Sequence, residues 1–292
     1  MKRATLVLIT LLVAFGALPV SHGVRAYLAR RKAYTPRRWT VQRPFDASSL
    51  GLLDVRFTGR DGTRLAGWYR RSRNGAAVIL THGSNADRAS MLDEGRPLAA
   101  AGFGLLLFDW PGHGESEGRI ELGPTERSAL LGAVDLVLEQ PDITRRRVGV
   151  LGFSDGAYLA AQVAPSESRI GALFLEGGYG NVEEQIRAEF AGVGWLAQWG
   201  AVLADRAIHM YSSRPPIDLG SRFPPPITVI VSGSADRTVP TALGRELYEA
   251  QRNPREFWVI KGVGHGGYVR GDPEYASRMV ASFQRALLGA EP

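Results

Sequence analysis

Three residues of this chain have types and surroundings suited to covalent chemistry. Ser154 lies in Gly152-Phe153-Ser154-Asp155-Gly156, after the aliphatic run Val148–Leu151 and before a stretch holding Ala157, Ala160 and Ala161. A serine between a strand and a helix sits on a sharp turn, and flanking glycines are needed where a side chain would strike the neighbouring strand or helix. The helix N-terminus beneath it favours developing negative charge. In a chain with 35 glycines the G-x-S-x-G pattern alone is weak, and its strand-before, helix-after setting is what raises it. Asp236 follows the apolar run Ile227–Val231 in Ser232-Gly-Ser-Ala-Asp236-Arg-Thr-Val-Pro240, and His265 follows Phe257–Ile260 in Gly262-Val-Gly-His265-Gly-Gly267. Each is thus placed on a loop at a strand's C-terminal end. Parallel strands open all such loops on one sheet edge, so the three can converge although far apart in sequence.

Singly, His265 reads equally as a surface histidine and Asp236 as a turn-forming residue. Together with Ser154, in that order, they point to a nucleophile, an imidazole base and a carboxylate that orients it. Glu176 is a rival acid because it ends the run Ile170–Leu175 on the same edge, although a polar residue capping the strand is an equally good reading. His82 and His113 read as loop braces. No H-x-x-x-H pair, phosphate loop or dinucleotide fingerprint occurs, so neither a metal nor an organic cofactor is expected. The absence of cysteine excludes a disulfide scaffold, a thiolate zinc site and a cysteine nucleophile.

The elements that must position these residues alternate over residues 53–292. Val55–Thr58 and Arg64–Tyr69 flank Arg60-Asp61-Gly62 as a hairpin, and short aliphatic strands then alternate with helical stretches. That pattern predicts an α/β fold, a mostly parallel sheet with helices on both faces. Residues 177–223 interrupt the alternation and predict a small helical cap, in which Trp195 and Trp199 share a face either as core or as a lid. Residues 34–52, with Pro36, Pro44, Ser48 and Ser49, read as a linker.

The net charge of +6 belongs to the start of the chain. Residues 1–38 hold eight basic residues and no acid, which leaves 27 basic against 29 acidic residues in the remainder. A nucleic-acid partner is therefore not expected, since its binder would spread basic charge over the folded body. Ala4 to Val24 carries no charged residue. That length reaches the roughly 20 residues needed to span hydrocarbon. Residues 1–33 are expected to be a single N-terminal membrane anchor in contact with lipid, with a cleaved secretory signal as the alternative. The basic residues after the span argue for a cytoplasmic body, the signal-like character for an external one.

His82-Gly83-Ser84, Asp109-Trp-Pro-Gly-His-Gly-Glu-Ser116-Glu-Gly118, Gly152–Gly156, Ser232–Pro240 and Gly262–Gly267 together resemble the α/β-hydrolases, of the small membrane-anchored type called Bem46-like. The resemblance covers about residues 53–290. It implies a Ser154–Asp236–His265 triad and an oxyanion hole made by the backbone N–H groups of Ser84 and Asp155. It implies hydrolysis of a small-molecule carboxylic ester, thioester or amide through an acyl-enzyme. A peptidase, an acyltransferase on the same triad, or a non-catalytic scaffold at the membrane remain the alternatives. One departure stands out, because the residue after the nucleophile is more often neutral in that family than Asp155.

Overall fold

The computed structural model describes residues 20–29, 31–32, 35, 37–144, 147–208, 227–251 and 255–289. Its main sheet comprises β1 (Leu53–Thr58), β2 (Arg64–Arg70), β3 (Ala77–Thr81), β4 (Gly104–Phe108), β5 (Val148–Phe153), β6 (Ile170–Glu176), β7 (Ile227–Gly233) and β8 (Arg255–Ile260), in the spatial order β8-β7-β6-β5-β3-β4-β2-β1. The β1–β2 hairpin and the β2–β4 pair are antiparallel, and every other neighbouring pair is parallel. β3 and β4 are buried at every position, which explains why they are unbroken aliphatic runs rather than alternating ones.

Helices cover both faces. α1 (Leu92–Ala100), α2 (Pro124–Leu138), α3 (Asp155–Val163), α4 (Val182–Glu189), α5 (Trp195–Ile208), α6 (Thr241–Ala250) and α7 (Tyr275–Leu288) follow in chain order. α2, α3 and α6 bury Leu130, Val134, Leu159 and Leu247 against one face of the sheet. α1 and α7 bury Leu98, Met279 and Phe283 against the other, where Phe283 stacks on Phe174 of β6 with ring centres 5.5 Å apart. α2 begins where Pro124 needs no N–H partner and Glu126 accepts from the backbone N–H groups of Gly123 (2.9 Å) and Glu121 (2.7 Å).

The segment expected to be a linker is instead packed on the body from Trp39 onward. Val41, Ala47 and Leu52 are buried with Trp68 and Met91, and Trp39 Nε1 donates to Asp87 at 2.7 Å. Arg96 pairs with Asp46 at 2.8 Å, and Arg38 lies in register beside Gly114. Among its described residues the segment holds only a two-residue strand (Arg37–Arg38) and one turn of helix (Ala47–Leu50), and scattered apolar side chains anchor it. Within 177–223 the two expected helices are present as α4 and α5, and residues 209–226 lie outside the described residues. Trp195 and Trp199 are exposed, so the reading of this pair as core is overturned.

The span expected over residues 4–24 lies outside the described residues as far as residue 19. Residues 20–29 are helical, and Ala26 is buried against Ile186 of α4 and Ala201 of α5. Among the described residues no helix is long and apolar enough to cross a membrane.

Candidate active site

Ser154 occupies the turn between β5 and α3 with φ 54° and ψ −118°, a conformation that non-glycine residues rarely adopt. The flanking glycines make it possible. A Cβ on Gly152 would come within 2.5 Å of the Gly156 carbonyl oxygen, and one on Gly156 would strike the carbonyl oxygens of Thr81 and His82 on β3 and the loop after it. Packing thus forces the hydroxyl up at the carboxyl edge of the sheet. The backbone N–H of Ser154 donates to the Glu176 carbonyl at 2.8 Å and ties the turn to the end of β6.

Asp236 and His265 meet it there. His265 Nε2 lies 3.0 Å from Ser154 Oγ, and His265 Nδ1 lies 2.7 Å from Asp236 Oδ2. The second oxygen, Asp236 Oδ1, accepts from the backbone N–H groups of Thr238 (2.9 Å) and Val239 (2.8 Å). The carboxylate is therefore fixed by its own loop before it touches the imidazole, and its side chain is fully buried whereas that of His265 is 20% exposed. Phe153 packs against the His265 ring at 4.9 Å between centres. Gly177, at φ +56°, leaves the imidazole room that a Cβ would take, 3.1 Å from its Cε1.

Ser84 and Asp155 border the same cavity of about 230 Å³ as Ser154, His265, Gln185 and Phe190. Asp155 is the first residue of α3, where helical N–H groups have no partner within the helix. Its carboxylate, the departure from the usual pattern, accepts from Tyr179 Oη at 2.7 Å, and that ring is stacked on Tyr158.

The loop bearing Ser84 is braced from below. Trp110 donates its backbone N–H to His82 Nε2 (3.1 Å) and its indole N–H to the His82 carbonyl (2.9 Å). His82 Nε2 must then be the acceptor, which leaves the proton on Nδ1 to be donated to the Gly83 carbonyl at 2.7 Å. Burial pushes His82 and His113 down to about 4, so both rings are neutral braces at physiological pH, as their positions in the sequence suggested. Arg88 is a further buried residue of this site's frame. It pairs with the buried Asp109, donates to Glu115 at 3.1 Å and lies over the Trp68 ring at 4.6 Å. A buried arginine beside the D-W-P-G-H-G motif leaves no signal in one sequence.

Glu176 does not hydrogen-bond His265. Its Oε1 accepts from Tyr275 Oη in the interior, and burial, reinforced by nearby Glu94, pushes its carboxyl well above the usual range. Glu94 is likewise pushed up to about 7, chiefly by burial. Both line a second cavity of about 200 Å³ on the far side of His265 and Phe153. Among the described residues no group of three or more His, Asp or Glu side chains is placed to hold a metal ion.

The chain belongs to the alpha/beta hydrolase family, whose sequence model matches residues 78–278. It is 29% identical over 271 residues to an uncharacterized protein of Mycobacterium tuberculosis, an alignment covering 90% of this chain and 88% of that one. It is 24% identical to the polyketide transferase GrgF of a Penicillium species, over 78% of this chain and 94% of that protein. An esterase of Pyrococcus furiosus superposes with a TM-score of 0.72 at 22% identity, covering 86% of this chain and 97% of the other, a likeness of fold.

Proposed function

We propose that this alpha/beta hydrolase is a serine hydrolase cleaving a carboxylic ester, thioester or amide through an acyl-enzyme. The supporting observation is the continuous chain Ser154 Oγ–His265 Nε2 at 3.0 Å and His265 Nδ1–Asp236 Oδ2 at 2.7 Å, facing a cavity at the carboxyl edge of the sheet. Asp236, fixed by two backbone N–H groups, accepts the hydrogen bond from His265 Nδ1–H, which keeps the proton on Nδ1 and leaves Nε2 free as the base. Ser154 Oγ attacks the acyl carbon as its proton passes to Nε2. The oxyanion is met by the N–H groups of Ser84 and Asp155 with the positive end of α3 beneath it. The imidazolium then protonates the leaving oxygen, sulfur or nitrogen, and an acyl ester remains on Ser154. In the second half His265 takes a proton from water, hydroxide character attacks the acyl carbon, and the returned proton frees Ser154 and the acid.

The same acyl-enzyme would pass its acyl group to an alcohol or amine in place of water. The similarity to a polyketide transferase favours that as the second reading. The uncharged stretch Ala4–Val24 supports a further proposal, that the chain is anchored in a membrane by its N-terminal segment.

Rapid mixing with p-nitrophenyl acetate tests the acyl-enzyme. The expected trace is a burst of p-nitrophenol equal to the enzyme concentration, absent from Ser154→Ala, with kcat lowered by about 10⁴–10⁶-fold. A burst retained by Ser154→Ala contradicts the proposal.

A further inference from the structure

The cap carries apolar surface that nothing among the described residues covers. On α5, Trp195, Trp199 and Leu203 recur every four residues and form one stripe. On the helix of residues 20–29, Val20, Val24 and Leu28 form another with the same spacing. All six side chains are between 43% and 66% exposed. Scattered exposed apolar residues are ordinary, but two aligned stripes on adjoining helices are not.

The two stripes face the same way. α5 turns Ala197, Ala201 and Val202 toward Ile186, and the N-terminal helix turns Ala26 into the same cluster. The helices touch almost backbone to backbone, since a Cβ on Gly200 would strike the Gly23 carbonyl and lie 3.0 Å from the Gly23 Cα. Each stripe lies on the side of its helix away from those buried residues, so both point outward from the body. Between and beside them stand Arg25, Arg31 and Lys32, all exposed, together with Arg187, whose guanidinium lies over the Trp199 ring at 5.2 Å. Of the acids on α4, Glu183 is engaged by Arg206 at 2.6 Å, Glu189 accepts from Gln185 at 3.2 Å, and Glu184 is exposed, against those four basic side chains. Tryptophan beside aliphatic and basic side chains is the composition of a surface seated at the headgroup boundary of a bilayer.

Val20 opens the described helix, and the sixteen residues before it, Ala4 to Pro19, carry no charge, while residues 1–38 contain no acid. Given the anchor proposed above, an uncharged segment joined to Val20 and held in a bilayer would bring the adjoining apolar, basic face to the lipid boundary, where the arginines and lysine match anionic headgroups. We propose that the outer face of the cap, formed by Val20, Val24, Leu28, Trp195, Trp199 and Leu203, lies against an anionic lipid bilayer.

One consequence rests on the hydrolase reading above. Ala29, on the N-terminal helix, and Phe190, after α4, line the Ser154 cavity, so the membrane-facing layer is also the cavity's roof. The substrate class is then an acyl ester of an amphiphile drawn from the bilayer rather than a small solute.

The absence of cysteine gives a clean probe of the full-length chain. Leu203→Cys, and separately Glu246→Cys at an exposed position of α6, would carry a nitroxide in vesicles of phosphatidylcholine and phosphatidylglycerol. The expected result is a label at 203 accessible to oxygen and shielded from an aqueous nickel complex, with the label at 246 open to nickel. Equal nickel access at both sites overturns the proposal. Dipolar broadening between labels at 203 overturns it too, in favour of a second copy of the chain covering this face. A second arm compares wild type with Trp199→Asp/Leu203→Asp. Loss of about tenfold or more in kcat/KM on a long-chain ester in vesicles, with hydrolysis of soluble p-nitrophenyl acetate unchanged, supports the substrate class. An equal rate on the vesicle ester refutes it. Absence of any esterase activity would count against the hydrolase reading while leaving the nitroxide result standing.

Discussion

Replacing Asp236 by asparagine should disable the base without disturbing the fold. Asp236 Oδ1 accepts from the N–H groups of Thr238 and Val239 at 2.9 and 2.8 Å, and Oδ2 faces His265 Nδ1 at 2.7 Å. An amide NH₂ cannot take the Oδ1 position, where it would confront two donors, so the oxygen stays there and the NH₂ turns to His265. Nδ1 must then accept, and the imidazole proton moves to Nε2, 3.0 Å from Ser154 Oγ. A protonated Nε2 cannot take the serine proton. The expected loss in kcat is about 10⁴, or about 5.5 kcal/mol of barrier. The loop keeps its two backbone bonds, so thermal unfolding should shift little. Hydrolysis of p-nitrophenyl acetate across neutral to alkaline pH measures the effect, with Glu176→Gln as the control. Glutamine preserves the oxygen that Tyr275 donates to and mimics the protonated carboxyl that burial imposes, so its kcat should fall by no more than a few-fold. A folded Asp236→Asn protein with kcat within about tenfold of wild type would refute the tautomer reasoning, and a larger loss in Glu176→Gln would move the acid to Glu176.

Other parts of the structure make further predictions. Glu94 is held up to about 7 against an ordinary 4.5, so between those values the folded state keeps a proton that the unfolded chain releases. The Glu94 contribution, roughly 3 kcal/mol, should therefore be lost as pH rises through that window, and Glu94→Gln should reduce the slope between urea curves at about pH 5 and about pH 8, the raised carboxyl of Glu176 leaving a residual slope. Arg88→Ala leaves Asp109 buried without its cation and should destabilise by about 3–5 kcal/mol in denaturant unfolding. Gly156→Ala drives a Cβ into the Thr81 and His82 carbonyls, and its loss of stability should reach or exceed the upper end of about 1–3 kcal/mol.

Residues whose placement follows from the strands and turns that carry them are legible in the sequence. Ser154 could be found because it stands between glycines at 152 and 156, where a Cβ would strike the Gly156 carbonyl or those of Thr81 and His82, and Asp236 and His265 because each follows a readable apolar strand. The strands themselves needed only buried aliphatic runs. What stayed hidden depends on partners distant in sequence. The hydroxyl that engages Glu176 comes from Tyr275, 99 residues on, and turns a candidate acid into an interior group. The carboxylate of Asp155, out of pattern in the sequence, is accommodated by Tyr179, 24 residues away. The spacing of Trp195 and Trp199 establishes a shared face but not whether that face turns inward, and it turns out. Val41 and Leu52 are too irregularly spaced for any periodicity to announce that the proline-bearing segment packs against Trp68.

The most direct test of the central claim is reaction of the full-length protein with a fluorophosphonate, followed by digestion and mass mapping of the adduct. A single phosphonyl group on Ser154, slowed in Asp236→Asn and absent from Ser154→Ala, is the predicted result. A label on another residue, or labelling of Ser154→Ala at the wild-type rate, would contradict the assignment of Ser154 as the nucleophile.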